Sequence, residues 1–105
     1  MDKINPSAIE QENQGKELSF VTVMGRDQKG IVARVSAILY KHEINIEDIS
    51  QKVIRKNFVM IMMVDFRESP SDLEDVKAEL NKVAEEMGLA IQIQHEALFK
   101  AMHRV

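Results

Sequence analysis

The sequence contains no cysteine. This absence excludes disulfide bonds, thiolate metal ligands and a cysteine nucleophile, and it leaves the redox compartment open. No apolar run approaches the roughly 18 residues that a membrane span requires, and the N-terminal stretch lacks the apolar core of a signal peptide. We therefore expect a cytoplasmic protein with no membrane partner.

The sequence also lacks an excess of positive charge. It carries 14 Lys and Arg against 17 Asp and Glu, for a net charge of -3. Nucleic-acid-binding proteins usually gather a basic excess into a patch, and no run of like charges here forms a basic or acidic tail. The charge balance therefore predicts no nucleic-acid partner.

The length of 105 residues, of which 45% are hydrophobic, is typical of one globular domain. Residues 1–17 are polar and predict a flexible N-terminal extension, so the folded domain is expected over 18–105. A domain of this size buries only about 60–70% of the surface that its unfolded chain exposes. Association with further copies would therefore add useful burial.

Hydrophobic periodicity predicts alternating strands and helices. The expected order is a strand over 18–24, a helix over 30–43, strands over 44–54 and 58–66, a helix over 69–88, a strand over 89–95 and a short C-terminal helix. This order predicts an α+β, ferredoxin-like βαββαβ sandwich, in which two helices cover one face of a four-stranded antiparallel sheet.

The first and third strands are apolar on both sides, which is typical of strands in the centre of a sheet. Only the short C-terminal helix is left to cover the face opposite the two long helices. Because soluble monomers rarely expose a large apolar patch, this open face predicts a homodimer or a higher homo-oligomer.

Local signals predict how several elements begin and end. The second long helix should be capped by Ser69 before Pro70, or by a capping box of Ser71 and Glu74. A slip in the apolar pattern near Glu47 predicts a β-bulge. His42 ends the first helix, where a cation is favourable.

The stretch "MGRDQKGIVARV", residues 24–35, resembles a ligand-binding turn. It is not a phosphate-binding P-loop, because Lys29 precedes Gly30, and it has no G-x-G-x-x-G dinucleotide pattern. What remains is a helix N-terminus, whose free N–H groups suit a small carboxylate. The competing interpretation is that Asp27 caps the helix and Gly30 only permits a tight turn.

Metal and catalytic sites find little support in the sequence. His95 and His103 have no fixed carboxylate beside them, so no metal or other cofactor is expected. The serines lack a neighbouring histidine in any recognised motif, so no catalytic residue and no enzymatic activity are predicted. The sequence alone does not test catalytic pairs of residues that only folding brings together.

The string "VTVMGRDQKGIVARVSAILYKHEINIEDISQ" resembles the ACT domain, a small regulatory module of amino-acid metabolism, and the likeness covers about residues 18–105. It resembles the short standalone ACT-domain proteins of bacteria and archaea. The resemblance implies a non-catalytic, allosteric module that binds a small molecule, commonly an amino acid, at a dimer interface. Carried over by position, the implied ligand-binding residues are Asp27, Gln28, Lys29, Gly30, Ile31, Val32 and Asn45.

One departure from the family is Lys29, which stands where many members have proline and leaves the ligand preference open. Asn45 has the competing interpretation of a simple turn residue. The rival function is a ligand-free interaction module that pairs through its open sheet face. In either case a regulated enzyme would be a further partner.

Overall fold

The structure is a computed structural model that describes residues 16–102. Most of the predicted N-terminal extension and His103 therefore lie outside the described residues. The elements in chain order are β1 (Leu18–Arg26), α1 (Ile31–Lys41), β2 (Asn45–Ile54), β3 (Asn57–Asp65), α2 (Leu73–Met87), β4 (Ala90–His95) and α3 (Glu96–Met102). Within residues 16–102 no helix is long and apolar enough to cross a membrane.

The four strands form one antiparallel sheet in the order β2-β3-β1-β4. The predicted ferredoxin-like fold is confirmed, including the central position of β1 and β3. Within residues 16–102, the outer strands β2 and β4 each pair with a neighbour on one side only, so each leaves a free edge there.

The core lies between the sheet and the two long helices. Alternate residues of the central strands, such as Val21 and Met62, point toward the helices and are fully buried. Helix α1 adds Ile31, Val35 and Leu39, and α2 adds Val76, Leu80 and Val83. The spacing of three and four residues places each set on one side of its helix, as the apolar stripes predicted.

The capping of α2 differs from both predictions. Its N-cap is Asp72, whose carboxylate accepts a hydrogen bond from the Asp75 N–H at 3.0 Å. Ser69 and Ser71 lie before the cap and their hydroxyl groups contact His42 instead. At the other end Gly88 ends the helix with a left-handed φ of 68°, as predicted.

The predicted bulge is present, because the pairing of β2 with β3 shifts register between Ile46 and Asp48. The two-residue turn after β2 is formed by Arg55 and Lys56, both with positive φ. Such a turn matches the right-handed twist of a hairpin. The Lys56 carbonyl accepts the Asp27 N–H at 2.8 Å, so this hairpin supports the loop that follows β1.

Among residues 16–102, the open sheet face is covered only in part. Helix α3 lies beside β1 and β4, and its Phe99 ring stacks on Phe20 with centroids 4.3 Å apart. Further along the face, Met24 and Ile61 are exposed. The short terminal helix thus covers the sheet at Phe20 and leaves an apolar strip along the rest of the central strands.

Candidate functional site

The loop after β1 ends in an uncapped helix N-terminus. Gly30 is the N-cap of α1, with a left-handed φ of 90° and no side-chain cap. Within residues 16–102, the Asp27 carboxylate accepts no N–H of this helix. The interpretation of Asp27 as the helix cap is therefore wrong. The first N–H groups of α1 have no acceptor within the helix and suit a carboxylate.

Gln28 has a structural contact inside this loop. Its side-chain amide donates to the Met87 carbonyl at 2.9 Å and to the Arg26 carbonyl at 3.2 Å. The first bond satisfies a carbonyl in the last turn of α2, which the helix itself leaves free. Gln28 therefore ties the loop to the end of α2.

The other predicted loop residues differ in accessibility. Asp27, Lys29 and Gly30 are exposed, whereas Ile31 is buried in the core and Val32 packs partly against it. A bound ligand would therefore meet the backbone N–H groups of Ile31 and Val32 more readily than the Ile31 side chain. Among these residues, Asp27 and Lys29 have the most accessible side chains.

Asn45 lies in a charged cleft of about 330 Å³ at the start of β2. Its side-chain amide donates to the Glu47 carboxylate at 2.6 Å, and the second oxygen of that carboxylate pairs with Lys16 Nζ at 2.5 Å. Arg67 and Glu68 also line the cleft. The cleft therefore offers both donors and acceptors to a small polar molecule.

One chain does not bring the loop and Asn45 together. In the sheet register, Asn45 and Leu18 both lie opposite Asp65, whereas Arg26, at the other end of β1, lies opposite Asn57. Eight residues of extended strand separate these ends, which is about 26 Å. The predicted ligand residues therefore fall into two groups, the candidate half-sites, at opposite ends of α1.

A second polar cluster, which sequence reasoning missed, joins α1 to α2. His42 Nδ1 lies 2.5 Å from the Ser71 hydroxyl, and His42 Nε2 contacts the Glu79 carboxylate. Lys41 Nζ donates to the same carboxylate at 2.6 Å. The four side chains come from positions 41, 42, 71 and 79, so no local motif reveals them.

The Glu79 carboxyl group has a pKa below its usual range, first because of the hydrogen bond from Lys41 and then because of that from His42. The cluster therefore adds stability above the usual glutamate pKa, and this contribution is lost as the pH falls through the lower folded-state value. We expect Glu79→Gln to lose urea resistance relative to the native chain at pH 7, with a smaller difference near pH 3. The check is the urea midpoint against pH, with exposed Glu85→Gln as control; an equal loss at both pH values would contradict the assignment.

Metal ligation finds no support in the described part of the chain. No group of three or more His, Cys, Asp or Glu side chains within residues 16–102 is arranged to hold a metal ion. Asp65 is a buried carboxylate, and it instead accepts the backbone N–H groups of Glu17 and Arg67 at 3.0 and 2.9 Å. These bonds fix the entry and exit of the two central strands.

Comparison with known proteins identifies the family. Residues 17–94 match the sequence profile of the ACT domain. A UPF0237 protein from Methanopyrus kandleri is 48% identical over 85 residues, which cover 81% of this chain and 94% of that protein. An ACT domain protein from Streptococcus pneumoniae, of known structure, is 33% identical, with a TM-score of 0.69, over 83% of this chain and 98% of its own.

A more distant solved structure shares the fold. The regulatory subunit of aspartate kinase from Thermus thermophilus, in its ligand-free form, superposes with a TM-score of 0.59 at 22% identity. The superposition covers 74% of this chain and 50% of that one. The profile match over most of the chain and the identity to the UPF0237 relatives establish that the chain belongs to the ACT domain family.

Proposed function

We propose that the protein is a regulatory module that binds an amino acid, without changing it chemically, at a site shared by two copies of the chain. The observation that carries this proposal is the separation of the half-sites. In one chain, the loop that ends in Gly30 and the cleft around Asn45 lie at opposite ends of α1, an 11-residue helix about 16 Å long. A small molecule contacts both only if each half-site comes from a different copy.

The free edge of β2 is the surface that fits this pairing. It is ten residues long and exposed over most of its length. Its side chains on the helix side include Ile49 and Val53, which are 42% and 54% exposed. A long apolar edge strand readily pairs with another strand, and a second copy would bury these side chains.

If β2 pairs with β2 of a second copy in antiparallel orientation, apolar side chains of the two strands lie opposite each other on the same face of the sheet. With the two-fold axis at Gln51, Ile49 lies opposite the partner's Val53 and both point to the helix side. A shift of one residue would set the helix-side residues of one copy against the open-face residues of the other. This register therefore buries two Ile–Val pairs per dimer.

The charges of β2 also favour an antiparallel arrangement. The strand begins with Glu47 and Asp48 and ends with Lys52, followed by Arg55 and Lys56 in the turn. In an antiparallel pair, the acidic start of each strand lies opposite the basic end of the other strand. A parallel pair would instead place like charges opposite each other. The partner's Asn45 then lies beside the hairpin whose Lys56 carbonyl holds Asp27.

The chemistry of the two half-sites complements an amino-acid zwitterion. The uncapped N-terminus of α1 suits the ligand carboxylate, and Lys29 adds a positive charge beside it. On the other half, the Glu47 carboxylate and the Asn45 amide oxygen accept hydrogen bonds from an ammonium group. Such a ligand would stabilise the dimer, because it contacts both copies only when they are paired.

Membership of the ACT family supports the regulatory part of the proposal. The aspartate kinase regulatory subunit shares the fold. We infer that the present chain acts likewise on a separate enzyme, since the allosteric signal of a binding module is a change in dimer stability or geometry that a partner reads.

Calorimetric titration of the full chain against the twenty common amino acids tests the ligand class. We expect one of them to bind. Asn45→Ala should weaken that binding at least about tenfold, because it removes a hydrogen bond to the ligand and the hydrogen bond that orients the Glu47 carboxylate. Ser50→Ala, an exposed substitution on the same strand, is the matched control. Unchanged affinity of Asn45→Ala would remove Asn45 from the site.

Gly30 is a poor choice for this titration. Its φ of 90° lies in the left-handed region, although a Cβ there would meet no atom within 4 Å. Any L-residue would therefore strain the backbone by about 1–2 kcal/mol and mix a loss of folding with a loss of binding. Asp27→Ala with Lys29→Ala changes exposed side chains only and leaves the Gln28 bridge in place.

The rival function, ligand-free pairing through the open sheet face, is favoured by Met24 and Ile61, which are exposed on that face. It predicts that no amino acid binds and that substitutions on the open face, not on β2, abolish association. The oligomeric state of β2 variants distinguishes the two.

A further inference from the structure

The cluster of His42, Ser71 and Glu79 has the connectivity of a nucleophile, a base and an orienting carboxylate. The His42 ring contacts the Ser71 hydroxyl through Nδ1, at 2.5 Å, and the Glu79 carboxylate through Nε2. An ionised carboxylate only accepts hydrogen bonds, so Nε2 carries the proton when the imidazole is neutral. Nδ1 is then the acceptor, and the Ser71 hydroxyl donates to it.

The surroundings hold this arrangement in one orientation. Lys41 donates to the other oxygen of the Glu79 carboxylate at 2.6 Å and keeps that group ionised. Ser69 donates to the His42 carbonyl at 2.6 Å and accepts the Ser71 N–H at 3.2 Å. The His42 side chain is only 12% exposed. The serine, the imidazole and the carboxylate are therefore fixed from both helices.

The Ser71 side also opens into a cleft. Ser71 lines a cavity of about 440 Å³ with Arg67, Leu73 and His95 among its other walls. Helix α2 begins at Leu73, and the Leu73 and Glu74 N–H groups have no acceptor within the helix, whereas the Asp75 N–H is bonded to the Asp72 carboxylate. Donors of this kind stabilise the oxyanion of a tetrahedral intermediate when an acyl carbon lies against the serine oxygen.

The charge of the cleft limits what it would accept. Glu17 and Asp72 line it with two carboxylates, whereas Arg67 also pairs with the buried Asp65 at 3.9 Å. An anionic molecule would meet repulsion from the two carboxylates. A neutral or cationic molecule of small size fits the cleft better.

We propose that Ser71 is an activated nucleophile that accepts the acyl group of small neutral or cationic carboxylic esters and passes it to water. This activity would be separate from the amino-acid site, although Arg67 lines both clefts. His42 would be the base, Glu79 the orienting carboxylate, and the α2 N-terminus the oxyanion donor.

The reaction balances with water as the only co-reactant. The Ser71 proton moves to His42 Nδ1 as Oγ bonds to the acyl carbon, and the ester C–O bond breaks as that proton passes to the leaving alkoxide. Water then gives its proton to Nδ1 and attacks the acyl-serine. The carbonyl–Oγ bond breaks, the serine regains its proton, and the carboxylic acid is released.

The first test uses the full chain, a fluorophosphonate probe and p-nitrophenyl acetate. A fluorophosphonate bonds to activated serines with loss of fluoride, and peptide mass spectrometry locates the adduct. We expect the adduct at Ser71, loss of ester hydrolysis in Ser71→Ala, and no loss in Ser50→Ala. No adduct, an adduct at another serine, or equal hydrolysis by Ser71→Ala would overturn the proposal.

The second test uses the absence of cysteine from the chain. Ser71→Cys and Ser50→Cys each introduce a single thiol, so iodoacetamide reports on one position at a time. A thiol beside a base is a better nucleophile, and we expect Ser71→Cys to react at least about tenfold faster at pH 7 than Ser50→Cys. Adding His42→Gln should remove the difference. Equal rates in the two single variants, or an unchanged rate with His42→Gln, would overturn the role of His42.

Discussion

Ile49→Lys is expected to convert the proposed dimer into monomers. In the proposed register Ile49 packs against the partner's Val53. Because of the two-fold axis, one substitution changes two such contacts in each dimer. Each copy then loses the burial of an isoleucine, worth about 1.5–3 kcal/mol, and places an unpaired charge in the interface. Dissociation should become at least about 100-fold more favourable, as measured by sedimentation equilibrium over a concentration series.

The matched control for this experiment is Ile61→Lys. Ile61 is 40% exposed, almost as much as Ile49 at 42%, but it lies on the open sheet face and β3 is a central strand. We expect Ile61→Lys to stay dimeric. If Ile61→Lys is monomeric and Ile49→Lys dimeric, the open face is the interface and the β2 edge is not.

Leu39→Ala is expected to cause a large loss of stability. Leu39 is fully buried in α1, within the core that joins the sheet to both long helices. Removing its isobutyl group leaves a cavity that such a core fills only in part, which lowers the free energy of unfolding by about 2–5 kcal/mol. For a domain of this size the melting temperature should fall by more than about 8 °C.

The neighbouring Tyr40 provides the control for Leu39. Its side chain is 86% exposed, so Tyr40→Ala should change the free energy of unfolding by less than about 0.5 kcal/mol. Urea unfolding of both variants checks the comparison. A small effect of Leu39→Ala would contradict the position of α1 against the sheet.

The fold was predictable because its signals are local and repeated. Val21 and Val23 on one side of β1, and Phe20 and Met24 on the other, predicted a central strand before any pairing was known. The break in alternation at Glu47 predicted the bulge in the same way. Each of these patterns depends on strand alternation within a few residues, which a single sequence displays.

The cluster of His42, Ser71 and Glu79 was not predictable, because it depends on how α1 packs against α2. Ser71 has the spacing of a capping-box residue with Glu74, yet Asp72 caps the helix and leaves Ser71 to His42, 29 residues earlier. Two capping residues competed for one helix start, and propensity alone does not rank Ser above Asp.

The split of the predicted ligand residues was hidden for a different reason. Gly30 and Asn45 are only 15 positions apart, but α1 lies between them and places Asn45 at its opposite end. Closeness in sequence suggested one site, whereas the antiparallel topology makes two half-sites. Whether two copies reunite them is the central claim of the proposed function.

The most direct measurement of that claim is calorimetric titration of a mixture of two variants with the amino acid that binds the native chain. One variant carries Asn45→Ala, and the other carries Asp27→Ala with Lys29→Ala, so neither homodimer has an intact site. In a one-to-one mixture, random exchange should restore about one site for every four chains at native affinity. No recovered binding in a mixture that exchanges subunits would contradict a site shared between two copies.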